Sequence, residues 1–400
     1  MNLEGKNQKS IRIENLMQAL RIIAFQGPCS RKELTQQMGL TKMSITNIVN
    51  TFLSRGLVTE VEIAVDQHMS SGPRPFLLKI ATGKLVAIGI HITEYSINGQ
   101  LYDMADGVLL ERKIVTESIH SKAYFLSSIK QLVDELMEYQ LLNSLQVVAI
   151  GITDDYFINR VQGSVSFKGN QLGIDINFIR SNLEQKYQVP IYIENMHIGI
   201  LLTEMAFGFY DSNKKYYFLS ISDEIRGAFT SEYYIQKGCV GLSGMVGHMS
   251  IKFDGPRCSC GNRGCYENYG NIAGLLRDSN CSSIEELNNN LANREPLALR
   301  ALENFIQVTT IAITNIVNLY DPEIIVVGGN VLKLDKSILK KIEYLVNDSF
   351  VFRKQRTISI IPSTLTEYHH QKGAAIMAVY QMTGNKDYVR MICEDNEQIS

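Results

Sequence analysis

The chain has 400 residues, 45% of them hydrophobic and 20% charged, with 29 glycines and 8 prolines. That length exceeds what one hydrophobic core usually spans, so two or three domains are expected, and the composition excludes collagen-like and largely disordered classes. A net charge of −2 hides an asymmetry: residues 1–80 hold ten Lys and Arg against six Asp and Glu, so the rest of the chain is acidic, and a polyanion partner is expected for the first module only.

The polar start, MNLEGKNQKS, has no apolar core behind it and no later apolar run is long enough to span a membrane, so a cytoplasmic location is the default expectation. Over 15–25 the residues Leu16, Met17, Leu20, Ile23 and Ala24 recur at helical spacing, and Gly27-Pro28 ends the segment. Ser30-Arg31-Lys32-Glu33 reads as a capping box that opens a short second helix packing Leu34 and Met38. After Gly39, Thr41 is placed to cap a third helix whose buried stripe is Ile45, Ile48, Val49 and Phe52. Two short helices joined by a Gly-containing turn form a helix-turn-helix, which presents the second of them to the major groove.

The outward face of that helix carries Met43, Asn47 and Asn50, with Lys42, Ser44, Thr46 and Thr51 on its flanks, and no acidic residue lies between Thr41 and Val58. Asn pairs bidentately with adenine, while hydroxyls, Lys and the helix N-terminus hold phosphates. The DNA-contacting set is therefore Thr41, Lys42, Met43, Ser44, Thr46, Asn47 and Asn50. The segments 57–63 and 76–80 read as an antiparallel pair, making a winged helix. Between them, Gly72-Pro73-Arg74-Pro75 either sets Arg74 on a phosphate or in a minor groove, or serves as a plain linker.

Beyond residue 80 the class is α/β. Buried strands are expected at 85–92, 145–152, 191–194, 216–221 and 324–327, with long helices at 124–142 and 296–319. Gly328-Gly329 is placed to open a helix as a phosphate turn. Seven cysteines are an odd number for a disulfide framework, and Cys258, Cys260 and Cys265 crowd into eight residues separated by glycines. With His248 they make a Cys3His set suited to a structural zinc ion, because four protein ligands leave no open position for water. Cys29, Cys239, Cys281 and Cys393 are isolated and read as ordinary thiols.

Gly247-His248 followed by Cys-x-Cys-Gly-x-x-Gly-Cys-x-Glu at 258–267 resembles the zinc signature of the ROK family (repressors, open reading frames, kinases). Glu194-Asn195, the run from Asp321 through Gly328-Gly329-Asn330, and Gly373-Ala374-Ala375 are similar to further family segments, and the likeness extends over nearly the whole chain. The N-terminal module looks like the repressor branch, although Pro73 departs from the usual Gly-Arg-x-Pro pattern. The resemblance implies an actin-like ATPase (ribonuclease H-like) fold of two α/β lobes. Its expected boundaries are 1–80 for the winged helix, 81–195 with a C-terminal helix at about 371–385 for the first lobe, and 196–370 for the second.

The departures from the family pattern favour a regulator. Family kinases follow Glu-Asn with a catalytic Asp, and this chain has Met196, a thioether that takes no proton from a sugar hydroxyl. Their Asp-x-Gly-x-Thr phosphate loop is replaced by His91-Ile92-Thr93-Glu94-Tyr95. A second glycine-rich loop reads Ser222-Asp223-Glu224-Ile225-Arg226-Gly227, whose acids would repel a triphosphate. A carboxylate of the sugar site is Met245 here, leaving Asn195, His248 and Glu267 as effector contacts. Either the effector is less hydroxylated than a sugar or the site no longer binds one. The expected protein is a dimeric, DNA-binding, zinc-holding transcriptional regulator, with a sugar kinase carrying an accessory helical module as the alternative.

Overall fold

The computed structural model describes residues 8–62, 76–93, 96–115, 121–154, 157–159, 164–167, 170–207, 214–231, 234–236, 238, 243–365 and 367–394. Chain contacts divide it into two compact units, residues 1–210 with 368–400, and residues 211–367.

The first unit begins with helices α1 (Gln8–Phe25), α2 (Arg31–Met38) and α3 (Lys42–Ser54), then strands β1 (Val58–Glu62) and β2 (Phe76–Ile80). α1 starts ahead of the predicted position because buried Ile13 extends its apolar face. The capping box forms as expected: Ser30 Oγ accepts the Glu33 amide at 3.2 Å while the Ser30 amide donates to the Glu33 carboxylate at 2.7 Å. β1 and β2 pair antiparallel from Val58–Ile80 to Glu62–Phe76, and Cys29 exchanges backbone hydrogen bonds with Leu78 at 3.1 and 2.8 Å to add a third rung.

The rest of this unit comprises β3 (Val86–Ile92), β4 (Ser96–Asp103), β5 (Gly107–Val115), α4 (Lys122–Leu142), β6 (Val147–Asp154), β7 (Phe157–Asn159), β8 (Ser164–Phe167), β9 (Asn170–Asp175), α5 (Ile176–Tyr187), β10 (Ile191–Asn195) and α6 (Met196–Phe207). The second unit contains β11 (Lys215–Ile221), β12 (Ile225–Ser231), β13 (Tyr234–Ile235), α7 (Glu267–Gly270), α8 (Ile272–Asp278), α9 (Ile284–Ala292), α10 (Pro296–Tyr320), β14 (Ile324–Gly328), α11 (Ser337–Asn347) and β15 (Ser359–Pro362). The chain then re-enters the first unit with α12 (Glu367–Thr383) and α13 (Lys386–Cys393).

Each unit is built on the same plan. The sheet of the first runs β5-β4-β3-β6-β10 and that of the second β13-β12-β11-β14-β15: an antiparallel meander, then two strands parallel to its first. The parallel strands are apolar because helices cover both faces, and they end in polar residues where the covering stops. β6 shows this, its Val-Val-Ala-Ile-Gly-Ile run closing on Thr153-Asp154. In the second unit Phe305, Ile313 and Ile316 of α10 pack with Leu219, Ile325 and Val327 in one core. Among the described residues no helix is long and apolar enough to cross a membrane.

Candidate DNA, metal and effector sites

α3 is bounded by Thr41, whose Oγ1 accepts the Ser44 amide at 3.2 Å. Ile45, Ile48, Val49 and Phe52 are buried, which turns Lys42, Met43, Asn47 and Asn50 outward, all exposed, with Met43 at 73% of its surface. Ser44 and Thr46 are half-buried, and the Thr46 hydroxyl donates back to the Lys42 carbonyl at 2.9 Å, as Thr51 does to Asn47. Those two hydroxyls keep only acceptor capacity toward a partner, so donation from this face rests on Lys42, Asn47, Asn50 and whichever hydroxyl of the Thr41–Ser44 pair, 3.0 Å apart, accepts from the other. Arg31 of α2 is joined to Glu60 of β1 at 2.9 Å, tying the helix pair to the wing sheet. Arg74, with the Gly-Pro-Arg-Pro segment, lies outside the described residues.

In the second unit His248 ends a short 3-10 turn (Val246–His248), and the three thiols ride on the following knuckle. The Cys258 amide donates to Asn262 O at 2.8 Å and the Gly261 amide to Cys258 O at 3.0 Å, closing the loop. Gly264 sits at φ +64, and a methyl there would lie 1.6 Å from the Lys252 carbonyl oxygen, so only glycine lets the chain return for Cys265. Tyr266, fully buried, donates from its hydroxyl to Thr309 Oγ1 on α10 at 3.1 Å, anchoring the knuckle to the core.

The four donor atoms of His248, Cys258, Cys260 and Cys265 lie within 4.8 Å of one another, and this set can hold a metal ion. His248 Nδ1 to Cys258 Sγ is 3.6 Å and Cys260 Sγ to Cys265 Sγ is 3.6 Å. A tetrahedral ion at the usual zinc–ligand distances has N···S and S···S edges of about 3.6 and 3.8 Å, so the spacing fits. Burial, then hydrogen bonding with Cys260 and Cys258, pushes the Cys265 thiol up to about 12, a crowding of thiols that a dication relieves. Cys29, Cys281 and Cys393 are buried free thiols, and Cys239 lies outside the described residues.

Of the effector candidates, Asn195 is buried at the end of β10 in the first unit, where it pairs in register with Asp154 of β6. One row back, Glu194, Thr153 and His91 align across β10, β6 and β3. His91 Nδ1 lies 3.2 Å from Thr153 Oγ1, and burial lowers its pKa to about 4 against the weaker opposing effect of a backbone hydrogen bond with Thr153. The sequence reading did not single out Thr153 and Asp154. Their signal is a polar pair closing an otherwise apolar strand.

Glu267, the first residue of α7, is engaged within its own unit. Its Oε2 accepts the Ile225 amide at 2.9 Å and the Arg226 guanidinium at 3.2 Å, and Arg226 also bridges to Glu224 at 2.8 Å. Arg226, likewise not singled out, thus offsets the Glu224 charge that was expected to repel a phosphate. The turn is closed by another route: the Asn330 amide donates to Ser222 Oγ at 2.9 Å, and a methyl on Gly329, at φ +91, would stand 2.7 Å from that oxygen. Gly328-Gly329 opens not the expected helix but a single 3-10 turn, Asn330–Lys333, too short to aim a row of amides at an anion.

Against known proteins, the ROK family profile matches residues 87–381 and the MarR family profile residues 14–67. Over 363 residues the chain is 27% identical to the xylose repressor of Bacillus subtilis (strain 168), covering 90% of this chain and 93% of that one. A solved ROK family transcriptional regulator, a homolog of the E. coli MLC protein, aligns with a TM-score of 0.74 at 22% identity, covering 96% of this chain and 99% of that one. A ROK hexokinase from Thermus thermophilus aligns with a TM-score of 0.65 at 19% identity, covering 75% and 100%. The fold is thus an N-terminal winged helix followed by a domain of the actin-like ATPase type.

Proposed function

The chain belongs to the ROK family, and on that footing we propose that it is a sequence-specific DNA-binding transcriptional repressor of carbohydrate-related genes whose ROK domain no longer transfers phosphate. Residues 1–80 bind operator DNA through Thr41, Lys42, Met43, Ser44, Thr46, Asn47, Asn50 and Arg74. The observation that carries this is the exposed, acid-free face of α3, with its amide and ammonium donors turned to solvent. The name of the B. subtilis relative supports a sugar-linked set of target genes.

The body dimerises, senses a small molecule and holds zinc. Zinc is the ion the Cys3His donor set suits, and when bound it cross-links His248 to the cysteine knuckle as a structural ion. Asn195, His248 and Glu267 are the effector contacts. With Nδ1 of His248 directed to the metal set, Nε2 is its remaining polar atom. Met196 in place of a general base, the Ser222–Asn330 closure and the loss of the first phosphate loop support an enzymatically silent domain. Ligand-linked changes in the body reposition two winged helices on half-sites about one helical turn, or a multiple of it, apart.

Fluorescence anisotropy with a palindromic duplex selected from random DNA, titrated with and without D-xylose and related sugars, tests the reading. Salt-dependent nanomolar binding weakened by one sugar is expected. Absence of duplex binding at low salt refutes it. The kinase alternative predicts ADP release with a hexose, and a rate above background would establish that alternative.

A further inference from the structure

Helix α12 joins two places in the first unit that sequence leaves far apart. Its first turns carry Gly373-Ala374-Ala375 directly against backbone. A methyl added at Gly89 of β3 would stand 2.5 Å from the Ala375 nitrogen, and one at Gly151 of β6 1.9 Å from the Ala374 oxygen. Gly199, in the first turn of α6 and four residues beyond Asn195, meets Gly373 in the same manner at 3.0 Å. Contacts without side chains have no rotamers with which to absorb movement, so α12 moves only together with β3, β6 and α6.

The other end of α12 grips the DNA-binding head. Arg21 of α1 donates from Nη2 to the Tyr380 carbonyl at 3.0 Å, and its guanidinium lies 4.1 Å from the centroid of the Tyr380 ring. Phe25 meets that ring edge-on at 5.7 Å. Just past the helix, Gly384 leaves the space the guanidinium fills: a methyl there would be 1.9 Å from Nη2. α13 then packs along α1, with Lys386 3.3 Å from Glu14.

We propose that α12 is the element by which the first lobe sets the pose of the DNA-binding head, with Arg21 as its grip. A shift at the strand ends carrying His91, Thr153 and Asn195, or in the first turn of α6, reaches α1 through this helix as a rigid body, in addition to the direct contact of α6 with α1 and the covalent link at 81–85. The proposal rests on reading residues 1–80 as the DNA-binding head and the lobe as the sensor. Arg21 is a positioning residue, since it lies on α1 and belongs to neither the DNA-contacting set nor the effector contacts.

Hydrogen exchange on the full chain, read by mass spectrometry, tests it with Arg21→Gln and Gly384→Ala, alongside anisotropy on the selected duplex. Both variants are expected to raise exchange in α1 and α13 by about tenfold while β3 and β6 stay protected, and to change duplex affinity. Gly199→Ala, at the far end of the helix, is expected to alter exchange in α1 when introduced alone and to add nothing when combined with Arg21→Gln. Wild-type exchange and affinity in both grip variants would overturn the proposal, leaving the α6–α1 contact and the 81–85 link to set the pose. A rise spread evenly over the first unit would also overturn it, because Arg21 would then be a stability contact only. If Arg21→Gln does not fold, the single added methyl of Gly384→Ala still decides. If the wild type ignores duplex DNA, the functional reading fails while exchange still reports on the grip.

Discussion

On α3, Asn47 and Asn50 stand in water on a face without acids, whereas in the second unit the Asn330 amide and the Glu267 carboxylate are bonded to Ser222 and Arg226 of the same unit. The difference follows from what each region must meet. A surface that docks on a wet, charged duplex keeps its polar groups hydrated until the partner replaces the water. Polar groups inside the second unit are satisfied within it, because a buried group left alone costs about 1–3 kcal/mol. Internal pairing in the turns and solvation on the head are two outcomes of one rule.

The strongest way to break the comparison is to attack the second unit and ask whether the head notices. Zinc removal by a chelator, or Cys258→Ser, is expected to lower the melting temperature of that unit by roughly 10 °C or more, since structural zinc sites contribute folding energy directly. Calorimetry with metal analysis checks this, and identical melting of metal-loaded and chelated protein would remove zinc from the account. A smaller effect comes from His91, buried near the end of β3 in the first unit. The folded pKa of His91, about 4, lies below its ordinary 6.5, so the unfolded chain takes up the proton first. Stability is therefore fully present above about pH 6.5, falls as the pH drops toward 4 and levels off below, by about 3 kcal/mol at most. Denaturant titrations across that window should show His91→Gln flattening the curve.

On the head, Asn47→Ala is expected to cost about 1–3 kcal/mol on the selected duplex and to relax base preference, whereas Lys42→Ala should weaken all duplexes evenly and reduce the salt slope by about one. Equal losses on every sequence for both variants would strip Asn47 of a reading role. Smallest is Ser30→Ala, which removes the capping box and should lower stability by about 1 kcal/mol, seen as a few degrees in melting temperature, without changing base preference.

What could be read from residues alone was local. The Ser30–Glu33 box, the Thr41 cap and the buried stripe of α3 depend on spacings within one or two turns, and the Cys258–Cys265 knuckle is spelled by its own glycines. The parallel strands β3, β6, β10, β11 and β14 stood out because they are largely apolar, whereas the parallel edge strand β15, four residues with one buried side chain, did not. β4, β5 and β12 did not: β5 is largely half-exposed or exposed, and its Leu-Leu-Glu-Arg-Lys-Ile run has neither the length of an apolar core strand nor clean alternation. Arg226 escaped notice because its second partner, Glu267, lies 41 positions away and is brought to it only by folding. The Gly329 turn was read as a helix opener since two glycines look the same whether the next turn is α or 3-10. Residues that meet across the fold, such as His91 and Thr153, or Arg21 and Tyr380, are beyond any periodicity argument.

The pairing of Glu14 with Lys386 spans 372 positions, and that of Arg21 with Tyr380 spans 359. Helix α1 is therefore secured only once a segment at least 359 positions further along the chain has been made. A chain cut before residue 380 leaves the operator-reading head without this clasp on α1, so the grip is made only when the intervening lobe has already been built.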